Sequence, residues 1–189
     1  IGTDNTCAIH TLMDYLTNPT SRKDLRRLAP YLRKLFDVAS TGAFPVLMVL
    51  EKLSDVFKNC NYEIVEDSKL PAKTMARCFQ NDDGGFTIEI KESVYVGAYE
   101  KGIGAYLGFI AHEICHIFLF KIGFKPIYER SFDNNKLPAY CSVEWQAKAL
   151  CAEVMIPFDE SKGMKHKEIL DRYHVSKAFA DVRLKLERL

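Results

Sequence analysis

Leu25, Leu28, Leu32 and Leu35 recur at helical spacing, with Arg22, Lys23, Arg26, Arg27, Arg33 and Lys34 on the other faces, so an amphipathic helix is predicted there. Pro30 marks a kink or restart within it. The basic cluster reads as a solvated face; as a functional alternative it could steer an acidic or nucleic-acid-bound partner. A second helical stretch runs from about Pro45 to Phe57, with Val46, Val49, Leu50, Leu53 and Phe57 on one side. The period then changes. Tyr62 to Val65 is a short strand, Asp83-Gly84-Gly85 a turn, and Phe86 to Lys91 alternates apolar and polar like a half-buried strand. From Ile103 to about Ile122 the chain is almost continuously apolar, which predicts a buried central helix. A loop from about Lys125 to Tyr140 precedes a helix over Ser142 to Ile156, stopped by Pro157. A last helix begins at the N-cap Ser176, with Phe179, Val182 and Leu186 on its inner face. These elements predict an α+β fold with a small sheet between two helical blocks. An N-terminal helical extension covers residues 1–60 and the main domain 61–189, together one compact unit.

The 189 residues are 48% hydrophobic and 27% charged, which supplies a real core and argues against global disorder. Twenty-six basic against 25 acidic side chains leave a net charge of +1, so no overall field favours nucleic acid or an anionic membrane, and neither is an expected partner. The apolar stretch from Gly102 to His112 is too short to span a bilayer, and Glu113 and His116 interrupt its continuation. Ile1-Gly2-Thr3-Asp4 offers neither a basic nor a long apolar leader and reads as the start of a trimmed or processed chain without support for secretion. Six scattered cysteines with no CxxC pair suit reduced thiols in a cytoplasmic protein.

The polar residues of the central helix are the exception that needs explaining. His112-Glu113-Ile114-Cys115-His116 is an HExxH sequence, which on a helix sets two imidazoles at i and i+4 on one face, where they can grip one zinc ion. Glu113, rotated by about 100°, reaches a water on that metal and can act as general base in peptide-bond hydrolysis. Burying two imidazoles and a carboxylate among Phe109, Ile110, Ile114, Ile117 and Phe118 is costly unless they are paired or metal-bound. Either histidine alone would pass for a satisfied core residue.

A catalytic zinc needs a third protein ligand and an open fourth position. His10 lies far upstream, and His166 and His174 fall in polar surroundings, whereas Glu144 opens a helix of mostly Ala, Leu, Cys, Val and Met. Glu153, nine residues further on, projects close to 180° from Glu144, so both cannot face one metal. The competing reading of Glu144 is a first-turn charge favourable to the helix dipole.

HEICH, followed by Glu144-Trp145-Gln146-Ala147 and by Cys151-Ala152-Glu153-Val154-Met155-Ile156-Pro157, resembles the ImmA/IrrE family of zinc metallopeptidases. The family pattern is HExxH, a variable loop, then a helix of the form E-x-x-A-N-x-F-A-x-x-L-L-M-P. Val175-Ser176 with Arg183-Leu184 resembles the family's closing helix, and the GGFTIEIK strand stands in the expected order, so the likeness covers roughly residues 60–189. The resemblance implies a zincin-like domain, zinc ligands His112, His116 and Glu144, and Glu113 as catalytic base. It also implies a cytosolic bacterial protease acting on a regulatory protein, such as a helix-turn-helix repressor. Lys148 stands where the family has Asn or Asp, Leu150-Cys151 where it has Phe-Ala, and Cys115 where it has a small residue. Lys148 supports an alternative of another class, a weak or inactive metal-site module that holds a repressor or toxin-like partner. Tyr128, Tyr140 and His174 are candidates for stabilising the oxyanion, the 125–140 loop for covering the cleft, and the strand Phe86 to Lys91 for an edge that pairs with substrate.

Overall fold

A computed structural model describes residues 14–127 and 137–187 of the chain. The first helix, α1 (Arg22–Leu35), is capped by Ser21, whose hydroxyl accepts from the Asp24 backbone N–H at 3.1 Å. It runs through Pro30, which lies exposed. Its inner face is Leu25, Ala29, Leu32 and Phe36, all buried, while Leu28 is half-buried and Leu35 exposed. The basic cluster is only partly a solvated face. Lys23, Arg27 and Lys34 are exposed, but Arg22 and Arg26 turn onto Glu153, and Arg33 is buried and donates to the Gly42 carbonyl at 2.6 Å. A long arginine stem covers apolar surface while its head finds a buried acceptor, which sequence spacing does not distinguish from solvation.

The stretch predicted as one helix after Pro45 is two short ones, α2 (Val46–Glu51) and α3 (Leu53–Val56), broken at Lys52. Three strands follow, β1 (Cys60–Val65), β2 (Ala76–Gln80) and β3 (Phe86–Lys91). Their order is β1-β3-β2, with β1 parallel and β2 antiparallel to β3. The strand Phe86 to Lys91 is therefore the centre of the sheet and not an edge: both its flanks are hydrogen-bonded, and its burial on both faces follows from that position. The edge beside the central helix is β2, which the sequence pattern did not predict.

The chain enters α4 (Glu92–Lys101), then reverses at Gly102, whose φ of 59° is the left-handed conformation that ends a helix without cost to glycine. The next helix, α5 (Gly104–Lys121), leaves at a bend of 118°. Its first residue must be glycine, because a Cβ there would lie 2.5 Å from the Val175 carbonyl carbon. Ile110, Ile114 and Ile117 of α5 are wholly buried, worth roughly 1.5–3 kcal/mol each in hydrophobic transfer. This helix packs against α2, α4, β2 and β3 and against α6 (Val143–Met155), which also carries α1 along it. Two short helices, α7 (Phe158–Ser161) and α8 (His166–Tyr173), lead to α9 (Lys177–Leu186). Ser176 caps α9 as predicted, but its buried face is Ala180 and Arg183; Val182 is exposed. Arg183 donates to the Phe158 carbonyl and the Ser161 hydroxyl, so a cation takes the place predicted for an aliphatic side chain.

The fold is thus mixed α and β, with a three-stranded sheet over a central helix. Among the described residues no single helix is long and apolar enough to cross a membrane, and Cys60, Cys78, Cys115, Cys141 and Cys151 are free thiols.

Candidate metal centre

His112 and His116 lie one turn apart on α5, near the middle of its most buried stretch. Glu144 lies in the first turn of α6, whose start is fixed by Ser142: the serine hydroxyl accepts from the Trp145 backbone N–H at 2.9 Å. Packing of α5 on α6 brings the three side chains together although 28 residues separate His116 from Glu144. His112 Nε2 lies 3.3 Å from Glu144 Oε2, and His116 Nε2 lies 3.1 Å from Glu144 Oε1. The two Nε2 atoms are 3.0 Å apart, with the imidazole planes crossed at 82°.

The triangle fits a metal ion by size and by chemistry. Ligand atoms at about 2.0–2.1 Å from a tetrahedral zinc stand about 3.3 Å from one another, close to the 3.0 Å between the two nitrogens and to the distance of each nitrogen from its own Glu144 oxygen. Two imidazole nitrogens and a carboxylate, all within 4.8 Å of one another, form a hard-to-borderline donor set suited to zinc. Among the described residues this is the one such cluster of three metal-binding side chains. Burial opposes ionisation of Glu144, but hydrogen bonds from His112 and His116 outweigh it and hold the carboxyl well below its usual range. The carboxylate is therefore anionic across physiological pH.

Glu113 lies within reach of the Cys78 backbone N–H on β2, the strand packed against α5. It is buried, and burial pushes its pKa up to about 7; the charge of His112 opposes the rise, that of Glu144 adds to it, and a hydrogen bond from the Cys78 backbone N–H opposes it. Its Oε2 is buried without a hydrogen-bond partner among the described residues. Such an oxygen calls for a proton donor at that position.

The other predicted residues fall elsewhere. Glu153 faces α1, 2.9 Å from Arg26 Nε, on the far side of α6 from the cluster. His166 pairs with Asp181 at 3.1 Å, and His10 lies outside the described residues. Of the three oxyanion candidates, Tyr128 lies outside the described residues and Tyr140 is exposed. His174 ends α8 with its carbonyl against Gly104, about 12 Å of helix axis before His112. Most of the 125–140 loop also lies outside the described residues. Lys148 is exposed, with Nζ 4.0 Å from Glu144 Oε2.

Two participants left no sequence signal. The Cys78 N–H acts through the backbone, and its strand was not foreseen. Asp14 accepts a hydrogen bond from the Ser142 hydroxyl at 2.7 Å, across 128 residues of chain.

No protein-family model matches the chain, and no curated protein matches it. The likeness to the ImmA/IrrE metallopeptidases therefore rests on the motifs themselves.

Proposed function

We propose that this protein is a zinc-dependent endopeptidase of zincin-like architecture, resembling the ImmA/IrrE family. The observation that carries the reading is the convergence of His112 Nε2, His116 Nε2 and the Glu144 carboxylate, the nitrogens 3.0 Å apart and each within 3.3 Å of one of its two oxygens, beside the unpartnered Oε2 of buried Glu113. Zinc held by those three residues would polarise a peptide carbonyl and acidify a water. Glu113 then accepts a proton at Oε2 and returns it to the leaving amine. A carboxyl whose pKa is raised towards 7 suits both halves of that transfer near neutral pH. The Cys78 N–H holds the Glu113 carboxylate against β2.

The substrate we propose is a regulatory protein of the helix-turn-helix repressor kind, as in the family resembled, met in the cytoplasm, where free thiols such as these persist. An extended substrate segment would find its sheet edge at β2, which already touches Glu113 through Cys78.

Lys148 supports a second reading, a metal-site module that holds such a partner without cutting it, because its ammonium, 4.0 Å from Glu144 Oε2, would compete with a metal for that carboxylate. The two are separated by comparing wild type with Glu144→Ala and Glu113→Gln. The enzyme reading expects near-stoichiometric zinc in wild type, lost in Glu144→Ala and kept in Glu113→Gln, with chelator-sensitive proteolysis of an unfolded protein substrate in wild type alone. Zinc binding with no proteolysis favours the holding module, and no zinc after reconstitution removes the metal centre from both.

A further inference from the structure

Glu144 occupies an awkward position for a metal ligand. It stands in the first turn of α6, where a helix has no backbone acceptors of its own for its leading N–H groups and where helices fray. A ligand on a fraying turn would lose affinity to disorder, so something outside the helix has to hold that turn.

The segment from Asp14 to Thr20 does so. It runs across the start of α6 as a strap, with Leu16 bridged to Ser142. The Val143 N–H donates to the Tyr15 carbonyl at 3.0 Å, the Glu144 N–H to Asp14 Oδ1 at 3.3 Å, and the Trp145 N–H to the Ser142 hydroxyl at 2.9 Å. All three leading donors of α6 are thereby satisfied. Ser142 in turn gives its own hydroxyl proton to Asp14, whose two carboxylate oxygens lie 2.7 and 2.8 Å from it. The strap is tied down on both sides: Thr17 and Thr20 donate to the carbonyls of Cys141 and Tyr140, Ile127 donates to Leu16, and Gln146 Nε2 donates to the Asn18 carbonyl at 2.8 Å.

We propose that Asp14 is a positioning residue for the metal ligand Glu144, and that the strap 14–20 is a working part of the metal centre. Asp14 never touches the metal. It fixes the backbone of Glu144 directly, and through Ser142 it fixes the hydroxyl that caps the next residue, so the carboxylate is presented to His112 and His116 in one orientation. Accepting oxygens, not net charge, carry the role. This inference rests on the reading of His112, His116 and Glu144 as a zinc site.

The test is the zinc dissociation constant, measured by competition with a chelating dye, for wild type, Asp14→Ala, Asp14→Asn, Glu144→Ala and the Asp14→Ala/Glu144→Ala double variant, with the metal-free thermal midpoint of each. Asp14→Ala is expected to weaken zinc binding by about tenfold, and Asp14→Asn, which keeps an acceptor oxygen, by less than about threefold. In the Glu144→Ala background, Asp14→Ala should change the residual affinity no further, because its effect passes through Glu144. Equal affinity of wild type and Asp14→Ala overturns the proposal, as does an equal loss in both backgrounds or a loss in Asp14→Asn as large as in Asp14→Ala. A wild type that binds no zinc overturns the metal site itself as well. If Asp14→Ala does not fold, Asp14→Ser takes its place, since its short hydroxyl cannot reach both donors and the same loss is expected.

Discussion

Arg26 and Glu153 meet at two points, Nε to Oε2 at 2.9 Å and Nη2 to Oε1 at 3.2 Å, on the side of α6 that faces away from Glu144. The same guanidinium lies over the ring of Phe158, whose other neighbour is the Arg183 guanidinium at 4.0 Å. One buried carboxylate thus ties α1 to α6 and, through the stacked ring, to α7 and α9. Glu153→Ala would leave Arg22 and Arg26 without their partner at a nearly buried site, a loss of about 2–3 kcal/mol in denaturant unfolding. Zinc stoichiometry should be unchanged, because this face of α6 takes no part in the metal centre.

His116→Ala should abolish stoichiometric zinc, since it removes the most buried corner of the ligand triangle. Elemental analysis after dialysis is the check, and zinc retained at one equivalent would move the site elsewhere.

Lys148 is exposed and only 4.0 Å from a ligand oxygen, so removing its charge should help the metal modestly. An exposed pair of this kind is worth about 0.2–1 kcal/mol, which corresponds to a gain in zinc affinity of at most about fivefold for Lys148→Met. Weaker binding would mean that the ammonium orients Glu144 instead of competing for it.

Glu160 gives the fold an acid-sensitive point. Burial opposes its ionisation, but the Gly42 N–H at 2.6 Å and Arg172 more than offset this and lower its pKa. A carboxyl depressed in the folded state contributes stability above its unfolded pKa of about 4.3 and loses that contribution as pH falls through the folded value. Glu160→Gln should therefore be less stable than wild type at pH 7, with the gap closing below about pH 4, as followed by thermal unfolding across that range.

Burial raises the thiol pKa of Cys78 and Cys115 well above the ordinary value, and the neighbouring carboxylate of Glu113 adds to the rise in both. These thiols should resist a disulfide reagent until the protein unfolds, whereas the half-buried Cys141 reacts in the native state. Mass mapping of labelled peptides distinguishes the two classes.

Where the sequence was readable, one local cause decided the outcome. The helix around His112 and His116 follows from an apolar run, the start of α6 from Ser142, and the turn before β3 from Asp83-Gly84-Gly85. The opposite direction of Glu153 from Glu144 follows from nine residues of helix. What was not readable depends on partners distant in the chain. The burial of Arg33 needs the Gly42 carbonyl, the central place of β3 needs β2, and the inward turn of Arg183 needs Phe158 and Ser161. Alternation in Phe86 to Lys91 announces a strand and says nothing about which strands flank it.

The span of 128 residues between Asp14 and Ser142 also orders events in time. The pairing of His112 with His116 is local to one helix, whereas the strap closes a loop of 128 residues, so local contacts favour registering the two imidazoles before the turn bearing Glu144 is secured. His112 and His116 leave the ribosome ahead of Glu144, and Asp14 ahead of all three. On the zinc-site reading, metal captured at that stage would be held by two nitrogens alone, and docking of the strap would add the third ligand, so that loading and completion of the fold would become a single event.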